Sequence, residues 1–277
     1  MYKTFLYVGS ALIAFLSFSP AYAWNGKTHK WLSQEAVSFL PQEQQEFFNR
    51  YKQELFRGVV RADNYRALHH TYFGQDGRIY DDSAALFSEF MADQAVRAIH
   101  DARRRGEVRE DDERRFAIFC GMAIHGPQDM HGFHTIPRED QKAHARYENR
   151  VDQEIRKSEE GFDSSFQLEF DGTLTERNVK QAVAETARDS HFGRGSIYSA
   201  RELQDAVPAR IGKGRRVDWW TPELQRSTKR ILEVGANRSA EVLQSLYIEA
   251  FLDRLPEQAP EDVEMELDLT DILVDQE

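Results

Sequence analysis

The chain has 277 residues, 40% hydrophobic and 30% charged, with a formal net charge of -11 and one cysteine, Cys120. That length can bury one large core, and a lone cysteine excludes an intramolecular disulfide. The acidity is local: nine acids and no base fall in 256–277, and taking those nine from 47 leaves 38 acids against 36 bases in a nearly neutral body.

In chain order, Met1 to Ala23 reads as a secretory signal peptide. Lys3 lies in a short basic lead, an apolar run follows from Phe5 to Phe18, and Ala21-Tyr22-Ala23 is a small-x-small cleavage site. Cleavage there exports the protein to the periplasm or the medium and makes Trp24 the first residue. A free α-amino group beside its own carbonyl can close a five-membered chelate ring on a metal, and His29 stands five residues on. Helical periodicity then dominates: Thr28 to Phe56 with a break at Pro41, Ser83 to Arg105, Asp111 to Met130, Ala143 to Ile155, Thr175 to His191, and Thr221 to Leu255 interrupted near Gly235. Turn-rich stretches separate these segments, and the loops over 56–82 and 132–140 are left to supply chemistry. The expected fold is all-α, a single multi-helix bundle over 24–255, followed by a solvated acidic tail over 256–277. No second apolar run is long enough to span a membrane.

Two helices carry metal-ligand spacing. His125 and Asp129 lie at i and i+4, as do His144 and Glu148, so each pair shares one helix face. One such pair alone reads as a surface salt bridge. Two pairs that bracket His134 and follow Asp63 and His70 point to a metal centre.

The order of these groups resembles the bacterial zinc-dependent phospholipase C family, whose fold is shared with zinc-dependent single-strand nucleases. The match runs through Trp24, His29, Asp63, His70, His125 with Asp129, His134, and His144 with Glu148, in the contexts GVVRADNY, HHTYFGQDG and HARYENRVD. The resemblance implies a cleft with three zinc ions. Asp63, His70, His125 and Asp129 would hold the first. His134, His144 and Glu148 would hold the second, with open positions for water and substrate. The Trp24 amine and carbonyl with His29 would hold the third, Asp129 bridging it to the first. Asp63 and Glu148 are the catalytic carboxylates so implied, Asp63 as general base.

Three departures from the family pattern matter. The Asp129 to His134 interval is one residue short and lacks a proline, which leaves His131 as a rival ligand. His69 adjoins His70; the distance to Gly77 favours His70. Where choline-preferring members carry an acid and two aromatics as a cation cage, this chain has Lys27, Asn64 and Ala67. An anionic or neutral head group suits that set better than choline. Trp219 and Trp220, near Lys213, Arg215 and Arg216, form either a lipid-interface element or a core anchor. His100 and His191 fall outside the ordered set and are read as surface residues.

The activity so implied is hydrolysis of phospholipid at a membrane surface to diacylglycerol and a phosphorylated head group by a monomer, with no nucleic-acid partner. Two other readings stay open. One is an endonuclease or nucleotidase on the same scaffold, to which the short Trp24–His29 interval is the closer fit. The other is a helical protein with purely structural zinc.

Overall fold

A computed structural model describes residues 26–68, 71–73, 77–136, 140–159, 166–210 and 218–252. The signal segment with Trp24, His69 and His70, the basic residues Lys213, Arg215 and Arg216, and the acidic tail lie outside the described residues. In chain order the helices are α1 (Gly26–Ser38), α2 (Gln42–Arg50), α3 (Lys52–Arg61), α4 (Ser83–Arg104), α5 (Glu110–Asp129), α6 (Gln141–Glu159), α7 (Val179–Phe192), α8 (Ala200–Ala206) and α9 (Pro222–Tyr247). Short 3-10 turns cover Ala62–Leu68 and Gly132–Thr135, and one two-stranded antiparallel hairpin joins β1 (Tyr72–Phe73) to β2 (Ile79–Asp81). The fold is all-α. Among the described residues no helix is long and apolar enough to cross a membrane.

α5 is the axis of the bundle. Four acids in its first turn, Glu110 to Glu113, complement the helix N-terminus, and the Arg109 amide donates to Asp112 Oδ2 at 3.1 Å. From Phe116 to Asp129 every residue is buried, the signature of a helix enclosed on all sides. It packs on α3, α4, α7, α9 and α1. The closest approach is to α3. A Cβ on Gly121 would lie 2.2 Å from the Leu55 carbonyl oxygen, and one on Gly58 would lie 2.0 Å from that of Ile118. Only glycine lets these backbones cross. Gly121→Ala is therefore expected to destabilise the fold by about 3 kcal/mol, the upper range for overpacking. The denaturant midpoint measures this, and an unchanged midpoint would refute the close crossing.

Several sequence expectations need correction. α3 continues to Arg61 and the 3-10 turn to Leu68, so the first part of the expected loop after Phe56 is helical, and its later part holds the hairpin. α9 runs through Gly235 without a break. That glycine faces α5, where a Cβ would meet the Pro127 carbonyl oxygen at 3.3 Å and Gln128 Cα at 3.4 Å, so it serves packing rather than a turn. α9 starts as the sequence suggests, with Thr221 Oγ1 accepting from the Leu224 amide at 3.3 Å and Pro222 in the first turn. His100 is buried, with its Nε2 3.0 Å from the Glu249 carbonyl oxygen. His191 is half-buried, 3.1 Å from the Thr135 carbonyl oxygen through Nδ1, with its ring tilted against that of Phe73. Neither is a surface residue. Trp220 is 4% exposed within a core formed with Tyr147, Phe166 and Leu224, so it acts as the anchor of the α9 entry. Trp219 beside it is half-buried.

Candidate metal centre

α1, α5, α6 and the turn at Gly132–Thr135 bring five histidines and two acids together, and the turn after α3 adds Asp63. All are buried. The ligand atoms fall into two groups: His29, His125 and Asp129, then His131, His134, His144 and Glu148, each group with its atoms within 4.8 Å of one another. Asp129 links them. Its Oδ1 lies 3.7 Å from His29 Nε2, while its Oδ2 lies 3.7 Å from His125 Nε2 and 3.5 Å from His134 Nε2. Asp63 Oδ1 joins from the other side, 3.9 Å from His125 Nε2.

These separations are too long for hydrogen bonds. They are close to what two ligands on one zinc require, because bonds of 2.0–2.2 Å at tetrahedral angles put ligand atoms about 3.4 Å apart. The orientation of the rings agrees. His125 Nδ1 donates to the Val59 carbonyl at 2.9 Å, which leaves the Nε2 lone pair facing the two acids. Gln128 Nε2 donates to Ser33 Oγ, so Gln128 Oε1 is free to accept from His29 Nδ1 at 3.0 Å. Ser33 Oγ in turn donates to the His29 carbonyl at 2.8 Å. His29 Nε2 is thereby left as a lone-pair donor, shielded from water and without a hydrogen-bond partner among the described residues. Complete burial lowers the pKa of His29 to about 4, only partly offset by the Gln128 hydrogen bond. The ring is neutral near pH 7, as a metal ligand must be. This N and O donor set with its supporting hydrogen bonds fits zinc.

The second group is tighter. His144 Nε2 is 2.7 Å from Glu148 Oε1, and His131 Nε2 is 3.5 Å from the same oxygen. Burial opposes the charge of Glu148, yet the His144 and His131 rings outweigh it and hold the carboxyl below its ordinary value. The i, i+4 spacing on α6 produces the His144–Glu148 pair directly. The choice between His131 and His134 does not arise in the expected form, because both rings enter the group, with centroids 4.7 Å apart. His134 stands between Glu148's group and Asp129, and His131 stands against Glu148. Sequence reasoning missed the orienting residues Gln128 and Ser33. Gln128 at i+3 from His125 was the available signal, since it must share the metal-facing side of α5.

A family model described as zinc dependent phospholipase C matches residues 28–209. The chain belongs to the zinc-dependent phospholipase C family. The matched span contains His29, Asp63, His125, Asp129, His131, His134, His144 and Glu148. A zinc-dependent phospholipase C is a phosphodiester hydrolase acting on phospholipid, and that describes this enzyme. Comparison with curated proteins finds no match.

Proposed function

We propose that the enzyme cleaves phospholipid on the glycerol side of phosphorus, releasing diacylglycerol and a phosphorylated head group, with three zinc ions held by the buried clusters. The observation that carries this reading is the position of Asp129, whose two oxygens face His29 on one side and His125 and His134 on the other. One carboxylate so placed can serve two ions. His125, Asp129, Asp63 and His70 would hold one ion; His131, His134, His144 and Glu148 a second; His29 and the Trp24 amine and carbonyl a third. Bound zinc would lower the pKa of a water molecule to about 7 and neutralise charge on the phosphoryl oxygens.

The chain's own groups do the rest. Water adds to phosphorus, the phosphorus–oxygen bond to glycerol breaks, and the leaving oxygen takes up a proton. Asp63 accepts the proton of the attacking water at a carboxylate oxygen, a role favoured by its place at the edge of the first group. Glu148 holds His144 in register. Closure of the site by buried rings keeps bulk water away from the charges. Lys27, exposed in the first turn of α1 and two residues from His29, supports an anionic or neutral head group over choline, as does the exposed Asn64.

A membrane surface is the natural source of the substrate. Tyr80 and Phe192 are 58% and 42% exposed beside the hairpin, and Arg194 lies 6.0 Å from the Phe192 ring. The Thr71 amide donates to the His134 carbonyl at 3.2 Å, so these aromatics border the turn that carries the metal-facing rings. Aromatic and basic groups of this kind favour the lipid interface.

The test is turnover on a panel of phosphatidylcholine, phosphatidylethanolamine and phosphatidylglycerol with products identified, beside single-stranded DNA. Diacylglycerol with a phosphorylated head group supports the reading, and cleavage of DNA alone would overturn it. A paired test addresses the crowded second group. His131→Ala and His134→Ala should each reduce kcat/KM by on the order of 10²-fold or more, as expected for loss of a charge-stabilising group. A near-normal rate in either variant would remove that ring from the centre.

A further inference from the structure

α6 has a second face with a separate chemistry. His144 and Glu148 point into the metal centre, and residues two positions away on a helix point to the opposite side. On that side Lys142, Arg146 and Arg150 repeat at every fourth position, with Asn149 and Gln153 alongside them. Together with Trp219 they line an open groove of about 540 Å³. Among the described residues every charged side chain lining the groove is basic, and the other polar ones are amides.

The three cations differ in their partners. Arg150 is fixed by Glu154 at 2.7 Å and lies over the Trp220 ring at 5.5 Å. Arg146 has no such partner: its Nη1 is shielded from solvent with no acceptor among the described residues. Lys142 is exposed and makes no ion pair among them either. A shielded guanidinium N–H calls for an acceptor, and the planar fork of Arg matches the oxygens of phosphate. Trp219, half-buried at the groove's edge, adds the aromatic contact that lipid interfaces favour.

We propose that this groove is an accessory site for the phosphate of an anionic lipid head group, which holds the enzyme on an anionic membrane without taking part in hydrolysis. The choice of lipid over soluble phosphate rests on the phospholipid substrate class; the anion site itself does not.

The probe is vesicles of digalactosyldiacylglycerol with and without phosphatidic acid, neither of which carries a phosphodiester for the enzyme to cleave. Wild-type protein should bind the phosphatidic acid vesicles more tightly. Arg146→Gln and Lys142→Gln should each weaken that binding about fivefold, the effect of one basic group near an anionic surface. Arg146→Lys should recover most of the loss, and turnover of a soluble short-chain phospholipid should be unchanged in all three. Lys142, whose side chain is exposed and makes no ion pair among the described residues, keeps the test valid if Arg146→Gln disturbs folding. Equal binding of wild type to both vesicles, or variants that bind phosphatidic acid like wild type, would overturn the proposal. Arg146-dependent binding of inorganic phosphate without vesicle preference would overturn the lipid source. Loss of diacylglycerol production with vesicle binding intact would instead count against the proposed reaction.

Discussion

Asp129→Ala is expected to lower kcat/KM on a soluble phospholipid by about 10³-fold or more, equivalent to about 4 kcal/mol of transition-state stabilisation, and to reduce bound zinc. Among the described residues no other side chain faces so many of these rings: His29, His125 and His134 all lie 3.5–3.7 Å from its two oxygens. Removing it takes one ligand from two proposed ions at once and takes a facing carboxylate from three buried imidazoles. Stability should fall as well, since metal-binding energy is also folding energy. Asp129→Asn, which keeps the shape and removes the charge, separates packing from ligation. It should fold more stably than the alanine variant and still lose most activity. Zinc content and rate close to wild type in the asparagine variant would show that Asp129 is not a ligand.

The second large effect concerns the chain end. If the Trp24 amine and carbonyl complete the third zinc site, one glycine added before Trp24 converts that amine into a peptide nitrogen, which has no lone pair to give. The extended protein should bind one zinc fewer and lose activity by about 10²-fold or more, the scale for removing one charge-stabilising element. Trp24→Phe should cost little, because the ligand atoms are backbone. The proposal draws support from His29, whose Nε2 has a neutral, solvent-shielded lone pair 3.7 Å from Asp129 Oδ1. It would also keep the uncleaved precursor inactive until export. Metal analysis and rates on protein that begins at Trp24, compared with the glycine-extended form, decide the matter. Equal stoichiometry and equal rates would rule out a chain-end ligand.

The His–carboxylate pairs on α5 and α6 were legible in the sequence as pairs because a helix turns a four-residue spacing into a shared face. His125 with Asp129, and His144 with Glu148, needed no tertiary information. The convergence of His29, Asp63 and the turn residues did need it, and only the ordered resemblance supplied it. What the sequence hid was decided by contacts between distant segments. Gly235 looks like a helix breaker but lies where α9 crosses α5. Gly58 and Gly121 look unremarkable until α3 meets α5. The sequence favoured His134 over His131, but the 3-10 turn from Gly132 to Thr135, with His131 just before it, brings both rings into the same group. His100 looked like a surface residue because nothing local shows that Glu249, 149 positions later, presents its carbonyl oxygen there.

Whether the two buried clusters are the zinc sites of a phospholipid-hydrolysing centre is tested most directly by crystals of protein beginning at Trp24, measured at the zinc absorption edge. Anomalous peaks are expected within ligand distance of His125 and Asp129, within ligand distance of His144 and Glu148, and beside His29. Zinc bound elsewhere on the chain, with either cluster empty in zinc-replete active crystals, would contradict that assignment.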